Sequence, residues 1–221
     1  MATWSCTKLV RYVLLAENHY GVDIQGCHYS IVISHVDRGA RDATTNGLHP
    51  TLQGANEARI WLSGVLKDQD RVYRGSLEEP DKYTAMAKKI LKIVINEDGN
   101  RVTSVVGYYI GRSIQEPRLV TYLKRFTQDW LPTAIENMTR NGVRRGSTYR
   151  MCETIETAIM IRTIRELVQH NCRSILWLHD GLYVHNETSV IMPIQAIKKW
   201  AQTCGCEVSV RTEDLRKEFY K

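Results

Sequence analysis

Asp180 stands in the run Leu178-His179-Asp180-Gly181, between the apolar runs Ser174–Leu178 and Leu182–Val184. That pattern predicts a β-hairpin with a carboxylate at its tip, because Asp-Gly supplies the backbone freedom of a tight turn. An ordinary turn is the competing reading. Both flanking strands read as apolar on both faces, which puts the hairpin inside a domain, where a charged tip faces a cleft or a metal. Asp23 is the second carboxylate. It lies in a short apolar strand, Val22-Asp23-Ile24, that leads into a helix, and a helix N-cap or a turn residue is its competing role. Two aspartates at the ends of two central strands can share a pair of divalent cations, one activating an oxygen and the other stabilising the one that leaves. Magnesium needs few carboxylates beside substrate phosphates, so two aspartates suffice. Lys88, Lys89 and Lys92 form the third feature, a cationic side of one helix. Such a side faces either solvent or the phosphates of a triphosphate or nucleic-acid backbone.

The elements that must position these residues follow from periodicity. Leu9, Val10, Val13, Leu14 and Leu15 give helical spacing over 4–18, and Gly21 is expected to end that segment before the strand 22–24. Residues 27–36 read as a helix. Residues 37–80 are polar and broken by glycines and Pro50, with helical pieces near 55–67. In residues 81–96, Met86, Ala87, Ile90, Leu91 and Val94 fall on one side of a helix, and Lys88, Lys89, Lys92 and Asn96 toward the other. Val105–Ile110 reads as a strand and 116–140 as a helix around Leu119–Met138, with Pro132 a candidate break. A long helix over 149–169, the hairpin, a helix at 192–203, a strand near 207–211 and a short final helix complete the chain. The fold class expected is α+β: an antiparallel sheet carrying the hairpin, flanked by helices, with a mainly helical insertion.

The chain has 221 residues, enough to bury roughly 70% of its unfolded surface. Its 43% hydrophobic and 24% charged residues fit a globular protein and exclude general disorder. No apolar run is long enough to span a membrane, and Lys8 and Arg11 interrupt the first one, which does not read as a signal peptide. A net charge of +6 permits a polyanionic partner without demanding one. Basic residues cluster at Arg140, Arg144, Arg145 and Arg150 and at Lys82, Lys88, Lys89 and Lys92. The six cysteines, Cys6, Cys27, Cys152, Cys172, Cys204 and Cys206, contain no CxxC pair, so reduced thiols are expected over a zinc site, in an intracellular (cytoplasmic) protein.

In their order and spacing, these pieces resemble the palm and fingers of family A-type nucleic-acid polymerases, nearest to divergent phage-, plasmid- and virus-encoded members related to single-subunit phage-type RNA polymerases. Motif A would be Val22-Asp23-Ile24-Gln25-Gly26-Cys27-His28, motif B the helix from Ala87 through Lys92 to Asn96 and Gly99, and motif C Leu178-His179-Asp180-Gly181. The helix Glu153–Leu167 resembles the one that borders template and primer, and places Glu156 beside nucleic acid. The resemblance covers residues 18–100 and 148–212. It implies palm parts at 1–40 and 148–221 around a fingers-like insertion at 41–147. It also implies Mg2+ or Mn2+ on Asp23 and Asp180, Lys88 or Lys89 (with Lys92 beside them) on the incoming triphosphate, and His179 at the primer end. His28 departs from the family, whose DNA polymerases usually hold a sugar-sorting glutamate there. The aromatic-plus-glycine ending of motif B is absent, and Gly181 replaces a third carboxylate in motif C.

The partners implied are a nucleic-acid template and primer, nucleoside triphosphates, and a partner chain if a thumb must be supplied. Arg144 and Arg145, in a polar loop, are candidates for backbone phosphate, with a solvated loop as the alternative. Tyr108, Tyr109 and Tyr149 are candidates for base stacking, with burial as the alternative. Three other readings stay open: a partner-dependent palm remnant that only binds nucleic acid, a metal-dependent nuclease using the same aspartates, and an α/β protein whose Asp-Gly is only a turn.

Overall fold

A computed structural model describes residues 18–36, 49–74, 80–97, 101–109, 116–172, 174–178 and 181–213. The chain forms two compact units, Gly26–Ile155 and Met1–Gln25 with Glu156–Lys221.

The first unit is helical: α1 (Cys27–Ser34), α2 (Pro50–Gln53), α3 (Ala55–Arg74), α4 (Pro80–Asn96), α5 (Val102–Tyr109), α6 (Pro117–Arg125), a π turn at Phe126–Trp130, and α7 (Leu131–Arg140). The chain leaves this unit within α8 (Thr148–Gln169). α1 is apolar almost all round and lies in the core, with Ile31 and Val32 fully buried. Gly26 caps its N-terminus at φ 55, and a Cβ there would come within 2.6 Å of the Ala55 Cβ, so only glycine fits. Tyr29 donates to the Thr51 carbonyl at 2.8 Å, its hydroxyl is 3.3 Å from that of Tyr122, and its ring stacks on Phe126. α3 and α4 pack along each other.

Val105–Ile110 is not a strand. Its described part lies in helix α5, whose buried residues Val102 and Val106 stand one turn apart. Local β-branched propensity loses there to burial of that pair. Around Pro132 the helix does not break. Proline lacks an N–H, and the preceding Leu131 N–H reaches back to the Phe126 carbonyl, so the chain passes through a π turn with Phe126 and Trp130 buried.

The second unit holds a four-stranded antiparallel sheet in the order β2-β3-β1-β4: β1 (His19–Ile24), β2 (Ile175–Leu178), β3 (Gly181–His185) and β4 (Val210–Glu213). Helix α9 (Ile191–Thr203) packs beside β4. Val22, Ile24, Leu182 and Val184 bury the apolar face of the inner strands. His19, Gly21 and Asp23 alternate onto the opposite face of β1, in the two-residue period of a strand.

Three expectations change here. Gly21 lies inside β1, opposite Tyr183 and Glu213, and does not end a helix before the strand. A Cβ on it would lie 3.3 Å from both the Tyr183 ring and the Glu213 Cβ, so a bare position lets those side chains approach. β4 begins at Val210, later than expected. The hairpin is not enclosed on both faces: β2 is an edge strand, and Leu176 is 41% exposed. The helix expected at 4–18 and the final helix lie outside the described residues. Among those described, no helix is long and apolar enough to cross a membrane.

Candidate active site

Asp23 sits on inner strand β1, between two neighbours that treat it differently. On one side its register partner is Arg211 of β4. Arg211 Nε donates to Asp23 Oδ1 at 3.0 Å and Nη2 donates to Oδ2 at 2.9 Å, the two-pronged geometry that suits a guanidinium to a carboxylate. On the other side its partner is Gly181, the residue that follows Asp180 in sequence. A Cβ on Gly181 would lie 3.3 Å from the Asp23 Cβ and 3.4 Å from the Val22 carbonyl oxygen. The missing Cβ at Gly181 therefore lets β3 approach Asp23 closely. The Asp23 side chain is 31% exposed, so the carboxylate faces water while its backbone is held in the sheet. Since Gly26 is the cap of α1, the helix-cap role for Asp23 falls away.

His179 and Asp180 lie outside the described residues. The strand ends around them are described: Leu178 and Gly181 are register partners, so β2 and β3 join through that pair. Gly181 is the first residue of β3, not part of the turn.

Lys88, Lys89 and Lys92 are exposed on one side of α4, while Ala87, Ile90, Leu91 and Val94 bury the other. Lys89 Nζ stands 5.9 Å from the centroid of the Tyr109 ring, a weak cation–π contact, and Tyr108 beside it is 90% exposed. His28, on α1, meets Tyr149 edge-to-face at 5.0 Å between centroids. Tyr149 is 44% exposed, so burial does not explain it or Tyr108. Arg144 and Arg145 are exposed between α7 and α8. Glu156 is half-buried on α8. The structure thus brings Asp23 next to Gly181 and gathers the three lysines on one helix face, both within single units.

Arg211 is the residue that sequence reasoning misses. The periodicity points to a strand near it, but not to its pairing with Asp23, which lies far away in sequence. Cys27, Cys152, Cys172, Cys204 and Cys206 form no disulfide. Burial pushes the Cys206 thiol up to about 12, and the neighbouring Cys204 adds to the shift. Among the described residues, no group of three or more His, Cys, Asp or Glu side chains gathers as a metal site would.

The donor chemistry beside Gly181 suits a hard divalent cation: a carboxylate, partly in water, with a neighbouring position that a Cβ would fill. Arg211 already engages both of its oxygens, so an ion would have to contend with the guanidinium.

No family model and no curated protein matches the chain. Among solved structures it is similar to one described as the POL domain of Pol1 from M. smegmatis in complex with DNA primer-template and dNTP, at 11% identity and a TM-score of 0.46. That match covers 97% of this chain and 43% of the other, so the chain spans less than half its length. At that level of likeness it carries no functional argument.

Proposed function

We propose that the chain is a template-directed nucleotidyltransferase, a minimal or split polymerase core whose carboxylates are Asp23 and Asp180. One observation carries this: Asp23, on an inner strand of an antiparallel sheet, has as its register partner the glycine that follows Asp180. Two-metal phosphoryl chemistry needs carboxylates close enough to hold two ions about 3.5–4 Å apart, and the Asp23–Gly181 register supports such a pairing with Asp180. Bound Mg2+ or Mn2+ would supply Lewis acidity to a 3′ hydroxyl and neutralise charge on the α-phosphate. The chain's own groups do the rest. Asp23 and Asp180 hold the ions. Lys88 or Lys89 neutralises the triphosphate and the departing pyrophosphate. Arg144, Arg145 and the part of α8 around Glu156 lie along nucleic acid, and His179 supports the primer end.

The test is primer extension on DNA and RNA templates, with deoxy- and ribonucleoside triphosphates and Mg2+ or Mn2+. Extension that is lost in Asp180→Asn, with an unchanged circular dichroism spectrum, supports the reading. Shortening of a labelled strand without triphosphates makes the chain a nuclease. Loss of fold in Asp180→Asn returns that residue to a structural turn.

A second reading is favoured by the Arg211 ion pair: a palm remnant that binds nucleic acid and leaves synthesis to a partner. A carboxylate engaged through both oxygens suits a structural role. Extension that appears only when a partner extract is added selects it.

A further inference from the structure

We propose that the paired helices α4 and α5 form a docking surface for single-stranded nucleic acid, with bases stacked on Tyr108 and Tyr109 and backbone phosphates met by Lys88, Lys89, Lys92 and Arg101. Such a surface goes beyond the two-aspartate reading and does not depend on it: it would serve a polymerase, a nuclease or a binding remnant alike.

Three observations carry it. The first is aromatic surface left in water. α5 buries Val102 and Val106, and Tyr108 lies about 200° round the helix from Val106. Tyr108 is accordingly 90% exposed, and Tyr109 is 39% exposed. Such rings give the flat faces of unpaired bases something to cover. The second is charge of one sign. Lys88, Lys89 and Lys92 are exposed within about one turn of α4, and Arg101 is exposed at the start of α5. No Asp or Glu stands between Lys82 and Asn96 or from Arg101 to Tyr109. Like charges one turn apart repel, and a polyanion laid along them relieves that repulsion. The third is that ring and charge share one place. α4 and α5 pack on each other, and Lys89 Nζ stands 5.9 Å from the Tyr109 ring centroid. Phosphates and bases alternate along a strand, and here they find cations and rings side by side.

The same chemistry selects the partner. In a duplex the bases are already stacked on each other, so exposed rings favour an unpaired strand. A lipid surface would call for apolar side chains that enter it. Apart from the two tyrosines, the exposed described residues of α4 and α5 are charged, polar or alanine.

The experiment is fluorescence anisotropy of a labelled oligothymidine strand over a range of salt, in EDTA and without triphosphates. It compares the full-length wild type with Tyr108→Ala, Tyr108→Phe, Lys92→Gln and Lys198→Gln. Lys198 is exposed on α9, so its variant removes the same charge from the other unit. Tyr108→Ala is expected to bind about tenfold more weakly with an unchanged salt dependence, the scale of one stacked base. Tyr108→Phe keeps the ring and should bind as wild type does. Lys92→Gln should bind more weakly and make the slope of log affinity against log salt shallower by about 0.7, one phosphate contact. Lys198→Gln should change neither quantity, and a duplex of the same strand should bind more weakly than the single strand and be indifferent to Tyr108. Wild-type affinity in Tyr108→Ala, or equal effects of Lys92→Gln and Lys198→Gln, overturns the surface and leaves only attraction by net charge. Absence of strand binding also overturns it, and wild type that then sediments with phosphatidylserine vesicles gives the face to lipid. If Tyr108→Ala fails to fold, wild type and Lys92→Gln decide: equal salt slopes overturn the surface. With no metal and no triphosphate in the assay, none of these outcomes touches the two-aspartate reading, which stands or falls on primer extension.

Discussion

The two ends of the β1–β3 ladder carry ionisable groups on the same face, and they are built on opposite principles. At one end Asp23 meets Arg211, a charge of opposite sign, in a two-pronged ion pair. At the other end His19 meets His185, a group of the same kind, with ring centroids 5.5 Å apart and edges against faces. His19 Nε2 is 2.7 Å from Ser174 Oγ, while its Nδ1 is buried with no hydrogen-bond partner among the described residues. The first end tolerates charge because the neighbouring strand supplies the opposite one. The second end favours the neutral form of His19, because burial and the neighbouring His185 both lower its pKa. Opposite charge thus holds the Asp23 end together, and a proton disturbs the His19 end.

The largest expected effect breaks the Asp23 end chemically. Asp23→Asn should lower nucleotidyl transfer by roughly 10²–10³-fold or more, the scale seen when one preorganised stabiliser of developing charge is lost. Its fold should persist, because the ion pair is half-exposed and worth only about 1 kcal/mol. Single-nucleotide incorporation rates and urea unfolding read the two quantities separately. A large stability loss with intact rates would assign Asp23 to structure alone.

Next in size is a steric break at the same end. Gly181→Val places branched carbons where even a Cβ lies 3.3 Å from the Asp23 Cβ. Overpacking of that kind costs about 1–3 kcal/mol, so the urea midpoint should fall and incorporation should fall with it. Unchanged stability would mean that β3 shifts to make room.

A cation that meets a ring instead of a carboxylate offers a sharper contrast. Lys89 stands exposed on α4 beside the Tyr109 ring. Lys89→Ala should leave stability unchanged and weaken apparent triphosphate affinity about tenfold, one charge-assisted phosphate contact, with Lys88→Ala as the comparison that fixes the motif B register. Equal, negligible effects of both would return that face to solvent.

These contrasts also explain what the sequence can say. The lysine side of α4 is legible from the sequence alone, because amphipathic spacing is local. α1 and α8 also read as helices from local sequence, although α1 is apolar almost all round and offers no amphipathic spacing. Val105–Ile110 misleads because valine and tyrosine favour strands locally, whereas burial of Val102 and Val106 is a tertiary fact. Asp23 is marked by its neighbours in sequence. Arg211 is not, because register between β1 and β4 joins segments at opposite ends of the chain and leaves no local trace. Nor can the sequence show that Gly181 belongs to β3 and lies close against Asp23, since Asp-Gly reads equally well as a turn.

The smallest effect breaks the other end of the ladder with protons. Burial lowers the His19 pKa below its ordinary value of 6.5, and the neighbouring His185 lowers it further. Its neutral form is therefore favoured in the folded protein. The stability it contributes is fully present above pH 6.5 and is lost as pH falls through the lower, folded value. Geometry gives the same sign, because a proton on Nδ1 would be a buried donor with no acceptor among the described residues. Glu187, whose Oε2 is 3.7 Å from His185 Nδ1, offers its charge to His185, whereas His19 meets the Ser174 hydroxyl and the His185 ring. Urea unfolding at about pH 7.5 and about pH 5, on either side of the ordinary imidazole value, should show wild type losing more stability on acidification than His19→Gln, which has no proton to gain. Equal losses in the two proteins would place the acid sensitivity elsewhere and make the His19–His185 contact a plain packing of rings.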